Sequence, residues 1–503
     1  MSENLYDIFR SGFPADPSAP CLILPDGKIV TYDDLERETA RYANLLVSLG
    51  VKPGDRVAVQ VKKSPQVIFL YLACFRAGAA YLPLNDSYQR HEIEYFLGDA
   101  TPTLFVCQPQ MRAMADKLAQ AAAVPHLLEL DANGTGSLPE EAAKHLDVFA
   151  TIQVSKNDLA TIIYTSGTTG RSKGAMLTHG NLAANARVLH SYWQFQPDDV
   201  LLHMLPIFHV HGLCVAMHCA LLNGSPILFE PSFDAKRLQQ LLAKATVFMG
   251  VPTYYVRLLT EHSFNKELCS RMRLFISGSA PLLPETFKEF RERTGHTILE
   301  RYGMTEGGMF SSNPYDGERR GGTVGFPLPG TDIRITDDSG GLVKPGEVGN
   351  IQVKGDNVFV GYWQMPEKTK EEFTSDGYFK TGDMGQWDKD GYLTIIGRSK
   401  DLVITGGLNV YPKELEEMID AMPGVVESAV IGLPHPDFGE AVTAVIVRKG
   451  DDSGSTLTEN SIINALKGER AGFKVPKRVI FVEELPRNTM GKVQKNMLRQ
   501  QFG

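Results

Sequence analysis

Tyr164-Thr-Ser-Gly-Thr-Thr-Gly-Arg-Ser-Lys-Gly174 is the stretch on which the reading of this chain turns. The run leading into it, Leu159-Ala-Thr-Ile-Ile-Tyr164, is apolar and β-branched, the character of a buried strand. A strand that ends in a loop of hydroxyls and glycines is a place where backbone N–H and side-chain O–H groups wrap phosphate oxygens. Here Thr165, Ser166, Thr168 and Thr169 surround Gly167 and Gly170, and Arg171, Ser172 and Lys173 follow. The spacing departs from G-x-x-x-x-G-K-[ST], because Gly174 follows Lys173 where that motif needs a hydroxyl. Taken alone, the stretch reads equally as another kind of phosphate loop or as a glycine-rich surface turn.

Composition narrows the classes. At 503 residues the chain exceeds what one ordinary core holds, so two or more domains are expected. A formal charge of −8 argues against a general nucleic-acid role. The cysteines are scattered, with no C-x-x-C pair, and read as buried thiols of a reducing compartment. The N-terminus is charged and has no apolar signal-peptide core, and no run approaches the roughly 18 apolar residues of a membrane span. The expectation is a cytoplasmic protein with neither membrane nor nucleic acid as a partner.

Helical and strand patterns alternate for most of the length, which reads as α/β. Thr31 caps a helical pattern that Gly50 closes, and Asp55-Arg-Val-Ala-Val-Gln-Val61 follows as a strand. Val247–Pro252 and Leu274–Ser279 read as buried strands ending in turns, the place where open parallel sheets hold ligands. From about residue 325 short β runs such as Asn350–Lys354 and Tyr392–Ile396 dominate. The charged glycine segment Gly397-Arg-Ser-Lys400 marks a boundary, and an α+β unit of roughly a hundred residues follows. In that unit Pro412 opens a helix whose Leu415, Met418, Ile419 and Met422 form one apolar face. The fold expected is thus a large N-terminal domain, residues 1–399, of mixed sheets with flanking helices and a β-rich part from about 325. A small α+β C-terminal domain covers 400–503.

Further motifs follow in order: Pro206-Ile-Phe-His-Val-His-Gly212, Ser277-Gly-Ser-Ala-Pro-Leu282 and Glu300-Arg-Tyr-Gly-Met-Thr-Glu306. Then come Tyr378-Phe-Lys-Thr-Gly-Asp383, Gly397-Arg-Ser-Lys-Asp401, Ile404-Thr-Gly-Gly407 and Pro486-Arg-Asn-Thr-Met-Gly-Lys492. In this order they resemble the signature series of the adenylate-forming superfamily, which includes acyl-CoA synthetases, peptide-synthetase adenylation domains and luciferases. The resemblance spans nearly the whole chain. Within the superfamily it is nearest to malonyl-CoA synthetases, through Pro206–Leu213, Leu299–Glu306 and Asn313-Pro-Tyr-Asp-Gly317.

The resemblance implies activation of a carboxylate by ATP as acyl-AMP, with pyrophosphate leaving, and transfer to a thiol. Such chemistry is mostly positioning and charge neutralisation. The Thr165–Gly170 loop is expected on the β- and γ-phosphates with Lys173 as a cation, and Thr305 on a phosphate oxygen. Glu306 is the expected Mg2+ ligand, since a hard cation bridging phosphates takes carboxylate oxygen. Around the nucleoside the resemblance places Tyr302 against adenine and Ser279, Ala280 and Pro281 opposite, with Glu300, Gly303 and Met304 beside them. Asp383 is expected on the ribose hydroxyls and Arg398 is a second ribose contact. Lys492 is the catalytic cation bridging carboxylate and α-phosphate. It belongs to the small domain, which in the family rotates about a hinge matched by Lys400 and then presents Gly406 and Gly407 to the pantetheine arm of CoA. The tail from Arg470 onward is basic, and reads either as a CoA-phosphate patch or as a solvated face. Relatives are often controlled by acylation of the lysine matching Lys492, which adds a lysine acyltransferase or deacylase as a partner.

For the acid, a malonate half-acid brings a second charge that is costly to bury without a partner. Arg301 is the expected bidentate clamp, with His209, Met304 and Ser277 completing the pocket and His211 a lesser contributor. The segment Gly307-Gly-Met-Phe310 is more glycine-rich than the subfamily pattern. That keeps methylmalonate, propionate and acetoacetate open as acids, and a carrier-protein thiol open as the acceptor. A non-catalytic nucleotide binder would require loss of Lys492, Glu306 or the loop, and all are present.

Overall fold

The strand expected before the hydroxyl-rich loop forms, as Leu159–Thr165, and pairs antiparallel with Lys173–Thr178. The structure, a computed structural model, describes residues 2–165, 172–405, 408–436, 438–470, 472–488 and 491–503. Ser166, Gly167, Thr168, Thr169, Gly170, Gly406 and Gly407 therefore lie outside the described residues. The Leu159–Thr178 hairpin sits near one edge of a seven-stranded sheet that continues through Ala80–Pro83, Arg56–Gln60, Leu104–Cys107 and His126–Glu129. Those last four strands run parallel, and Ala80–Pro83 and Leu104–Cys107 are buried at every residue, which is why they read as unbroken apolar runs. Helices such as Tyr32–Ser48 cover the faces, and that helix starts in the capping box formed by Thr31 and Asp34.

A second, nine-stranded sheet carries the parallel run Ile227–Phe229, Leu201–His203, Val247–Gly250, Leu274–Ser277 and Leu299–Met304. Gly250, Ser277 and Glu300 stand in register, so the carboxyl ends of two strands open beside the start of Leu299–Met304. The β-rich part is a four-stranded antiparallel sheet of Thr331–Thr336, Gly349–Gly355, Phe379–Trp387 and Leu393–Arg398. All six cysteines are free and buried, as their apolar neighbours implied.

Beyond residue 400 a five-stranded sheet built on Val425–His435 and Gly439–Arg448 packs against the helices Pro412–Asp420 and Glu459–Glu469. It has its own core, in which Leu415 and Ile419 are buried and Met418 and Met422 pack alongside. Half of the charge of its basic tail is neutralised from within. Lys474 pairs with Glu414, Arg487 with Glu427, Lys495 with Glu416 and Arg499 with Asp401. Among the described residues no helix is long and apolar enough to cross a membrane.

Candidate active site

The site lies where the carboxyl ends of the nine-stranded sheet meet the four-stranded sheet and the small domain's last loop. Asp383 and Arg398 are cross-strand partners, and Arg398 Nε sits 2.7 Å from Asp383 Oδ1. Tyr302 donates its phenol to Asp383 Oδ2 at 2.6 Å, joining the two sheets. Burial pushes the Tyr302 phenol well up, so it stays a donor. Ser279, in the bend after Leu274–Ser277, holds φ +73°, a left-handed conformation that costs a non-glycine residue energy. That turn brings its Oγ to 3.3 Å from His211 Nδ1, and Ala280 and Pro281 continue the wall.

Glu306 is buried, and burial raises its carboxyl pKa even though Tyr362 donates to Oε1 at 2.9 Å. Lys173 Nζ lies 4.2 Å from the centre of the Tyr362 ring and 3.4 Å from Glu372. A carboxylate, a phenol and an ammonium are thus stacked at the exit of the hydroxyl-rich loop. Thr305 lies partly exposed in the turn beside them, and Met304 ends its strand half-buried against the main core. Gly303 and Gly308 have a steric reason: a Cβ on Gly303 would lie 1.9 Å from the Gly308 carbonyl, and one on Gly308, at φ +65°, 2.4 Å from Asn185 Oδ1. Asn185 in turn brackets Met309, accepting from its N–H at 3.2 Å and donating to its carbonyl at 2.9 Å. The glycine-rich Gly307–Phe310 segment is the geometry of this hairpin.

On the other face of the Leu299–Met304 strand stands Arg301. It is 4 % exposed, and its Nε and Nη2 have no hydrogen-bond partner. Burial draws its guanidinium down to about 9. The side chain fits because residue 278 is glycine: a Cβ there would meet Arg301 Cζ at 2.3 Å. Ser277 Oγ and His211 Nε2 are likewise buried without partners. His209 is drawn to about 4, by burial first and then by Arg301 and Lys492, so it is a neutral imidazole at physiological pH. The cluster is buried and carries the Arg301 charge together with unpaired polar atoms on Arg301, Ser277 and His211.

Lys492 closes the site from the small domain. Lys492 N–H donates to Asn488 Oδ1 at 2.9 Å, and Gly491, at φ +73°, lies against Thr253 of the large domain. Burial, and then Arg398, lowers the Lys492 ammonium to about 8, with Asp383 opposing. Lys400 lies exposed in the short turn Ser399–Asp401 between the two bodies.

Residues 11–363 match the family model described as AMP-binding enzyme, and residues 414–492 match its C-terminal domain. The chain belongs to the AMP-binding enzyme family. This AMP-binding enzyme is 34% identical to an Arabidopsis thaliana malonate–CoA ligase over 99% of its length and 89% of the relative's. It is 36% identical to the mouse mitochondrial malonate–CoA ligase ACSF3 over 94% of its length and 87% of the relative's. Crystal structures of MatB from Rhodopseudomonas palustris are 53% identical and cover 100% of this chain and 99% of theirs. The TM-score is 0.97 against the ATP-bound form and 0.85 against the apo form, so the whole-chain arrangement follows the ATP-bound one more closely.

Of the residues expected at the site of this AMP-binding enzyme, Tyr302, Asp383 and Arg398 form one bonded group and Lys173 and Glu306 flank Tyr362. Arg301, His209, His211 and Ser277 cluster in the pocket, with Lys492 near His209. Glu300 is anchored on the loop that follows. Its Oε1 accepts from Gly322 N–H at 2.9 Å, and burial pushes the carboxyl up to about 7. It fixes the loop behind Tyr302. Sequence reasoning missed Tyr362, Glu372, Asn185 and the spatial role of Gly278. Gly278 stands inside the Ser277–Leu282 motif, but its meeting with Arg301 is set only by the fold. The other three stand in no chemistry-bearing pattern, and Tyr362 meets Glu306 only through a contact 56 residues away.

Proposed function

We propose that this AMP-binding enzyme activates malonate with ATP as malonyl-adenylate and transfers the malonyl group to CoA. The single observation that carries the reading is Arg301, a buried guanidinium with two unpaired donor groups. Leaving such donors dry costs free energy, and a carboxylate bound there would pair them bidentately. Ser277 Oγ and His211 Nε2 offer further partners for the same group. The relatives named malonate–CoA ligase support this choice of acid.

With one carboxylate held by Arg301, the other points toward Lys492 and the nucleotide. In the reaction a carboxylate oxygen attacks the α-phosphorus of ATP, the bond to the β-phosphate oxygen breaks, and pyrophosphate leaves. Lys492 stabilises the charge that builds on the α-phosphate and carboxylate oxygens. Asp383, fixed by Tyr302 and Arg398, accepts from the ribose hydroxyls, and Tyr302 and the Ser279–Pro281 bend enclose adenine. The Thr165–Gly170 loop and Lys173 receive the leaving phosphates, with Thr305 beside them. Glu306 suits Mg2+: it is a buried carboxylate near Lys173, and one carboxylate with phosphate oxygens and water is how that ion is usually held. Bound there, Mg2+ would neutralise phosphate charge.

For the second step the small domain, residues 400–503, rotates about Lys400 relative to residues 1–399. Lys492 leaves, Gly406 and Gly407 line the thiol's path, and the thiol sulfur attacks the acyl carbon to expel AMP. Acylation of Lys492 by a lysine acyltransferase would remove its charge and stop adenylation.

The test is pyrophosphate release with ATP and CoA across a panel of short mono- and dicarboxylic acids. Malonate should exceed propionate in kcat/KM by at least about a hundredfold, the worth of a desolvated charge pair. Equal use of both acids would overturn the assignment of Arg301.

A further inference from the structure

Lys63 precedes the helix Pro65–Arg76 on the seven-stranded sheet and reaches across to the nine-stranded one. Its Nζ lies 2.7 Å from His203 Nδ1, 3.0 Å from the His203 carbonyl and 3.1 Å from the Leu205 carbonyl. His203 Nε2 is 2.9 Å from the Gly212 carbonyl. A carbonyl only accepts, so Nε2 carries hydrogen, and one further proton lies between Nδ1 and Nζ. Assigned to either side, that proton gives the pair one positive charge and satisfies every contact. The Phe229 ring centre lies 4.5 Å from Nζ, and Glu230, itself 2.8 Å from Arg237, opposes the burial that draws the Lys63 pKa down.

The placement of these bonds matters more than their number. His203 and Leu205 enter the Pro206 turn and Gly212 leaves it, so the pair ties both ends of the loop. Between the ties stand His209 and His211, the two imidazoles whose charge is suppressed by burial and then by Arg301. Ile207 and Val210 pack the turn into the main core, but its outer side is packed only in part. A cavity of about 300 Å³ lies there, lined by Pro206, Ile207 and Phe208 against Val61, Leu84 and Pro231. That side offers few contacts, so the polar tie adds to what Ile207 and Val210 gain from the core.

We infer that Lys63 and His203 are positioning residues that hold the Pro206–His211 loop against Arg301 and so set how the acid is presented to ATP. The inference rests on the reading above that places His209 and His211 in the acid pocket.

A double-mutant cycle between Lys63→Met and His209→Ala tests it. Lys63→Met keeps an unbranched chain as far as Cε and removes the donors. It should lower kcat for acid-dependent pyrophosphate release by roughly ten- to a hundredfold while the KM for ATP holds, as expected of misplaced reactants. In the His209→Ala background the same change should cost no more than about twofold, because the group being positioned is gone. His203→Asn keeps an acceptor for Lys63 but drops the tie to Gly212, and should couple to His209 in the same way. Multiplicative losses in both cycles would overturn the inference. So would a loss explained wholly by a smaller folded fraction, measured by active-site titration. The cycle is run with whichever acid the wild-type enzyme turns over fastest, so a wrong acid and a wrong positioning role give separate failures.

Discussion

Arg301 has the environment of a ligand-binding cation: it is buried, drawn down to about 9, and two of its donor groups are unpaired. Replacing it with Ala should lower kcat/KM for malonate by about 2–4 kcal/mol, the cost of losing one partner of a desolvated charge pair. Propionate, which places no charge there, should change by less than about threefold, and steady-state pyrophosphate release with both acids checks this. Lys492 gives a pH signature. Its ammonium is lowered to about 8, and the protonated form is the one that stabilises phosphate charge. The kcat/KM for adenylation should therefore be full below that pH and fall as pH rises through about 8. Transfer of a preformed malonyl-adenylate to CoA should lack this limb. Arg301 and Lys492 were legible in the sequence because each stands inside a motif. Tyr362 and Lys63 were not, because their partners Glu306 and His203 are distant along the chain and only the fold joins them.

Strand ends do the positioning at the next scale. The parallel run delivers Gly250, Ser277 and Glu300 in register, and the next residues, Gly278 and Arg301, then meet face to face. Gly278→Ala is a sharp probe of that meeting. Its Cβ would lie 2.3 Å from Arg301 Cζ, the far end of a flexible side chain that can swing away. The fold should lose no more than about 1 kcal/mol in denaturant unfolding, while malonate turnover falls by at least about tenfold relative to propionate. An intact preference for malonate would show that Arg301 acts from another position. Local elements were readable for local reasons: Thr31 caps its helix, Pro412 opens another, and buried strands show as apolar runs. Sheet order was not. Gly361–Tyr362 pairs with Lys173–Thr178 at the sheet edge, a neighbour relation that no hydrophobic period encodes.

The whole molecule is a large body with a small one seated on its open face. Lys492 is inserted, Lys413 Nζ donates to the Ile395 carbonyl at 2.6 Å, and Arg499 holds Asp401 at 2.8 Å beside the proposed hinge. The likeness to ATP-bound MatB, at a TM-score of 0.97, agrees with an arrangement set for adenylation. The basic tail shows what composition leaves unread, since half of its charge is paired with Glu414, Glu416, Glu427 and Asp401. If the small domain serves the two steps in turn, Lys492→Ala should slow adenylation by roughly a hundred- to a thousandfold. It should leave CoA transfer from supplied malonyl-adenylate within about threefold, and equal loss of both half-reactions would remove the basis for rotation. The most direct test of the whole account is a competition in one vessel. ATP, Mg2+ and CoA are supplied with equal concentrations of malonate and propionate, and the acyl-CoA products are separated by mass. The account predicts malonyl-CoA in excess of propionyl-CoA by about a hundredfold, with one AMP formed per thioester. Equal amounts of the two thioesters, or propionyl-CoA alone, would contradict it.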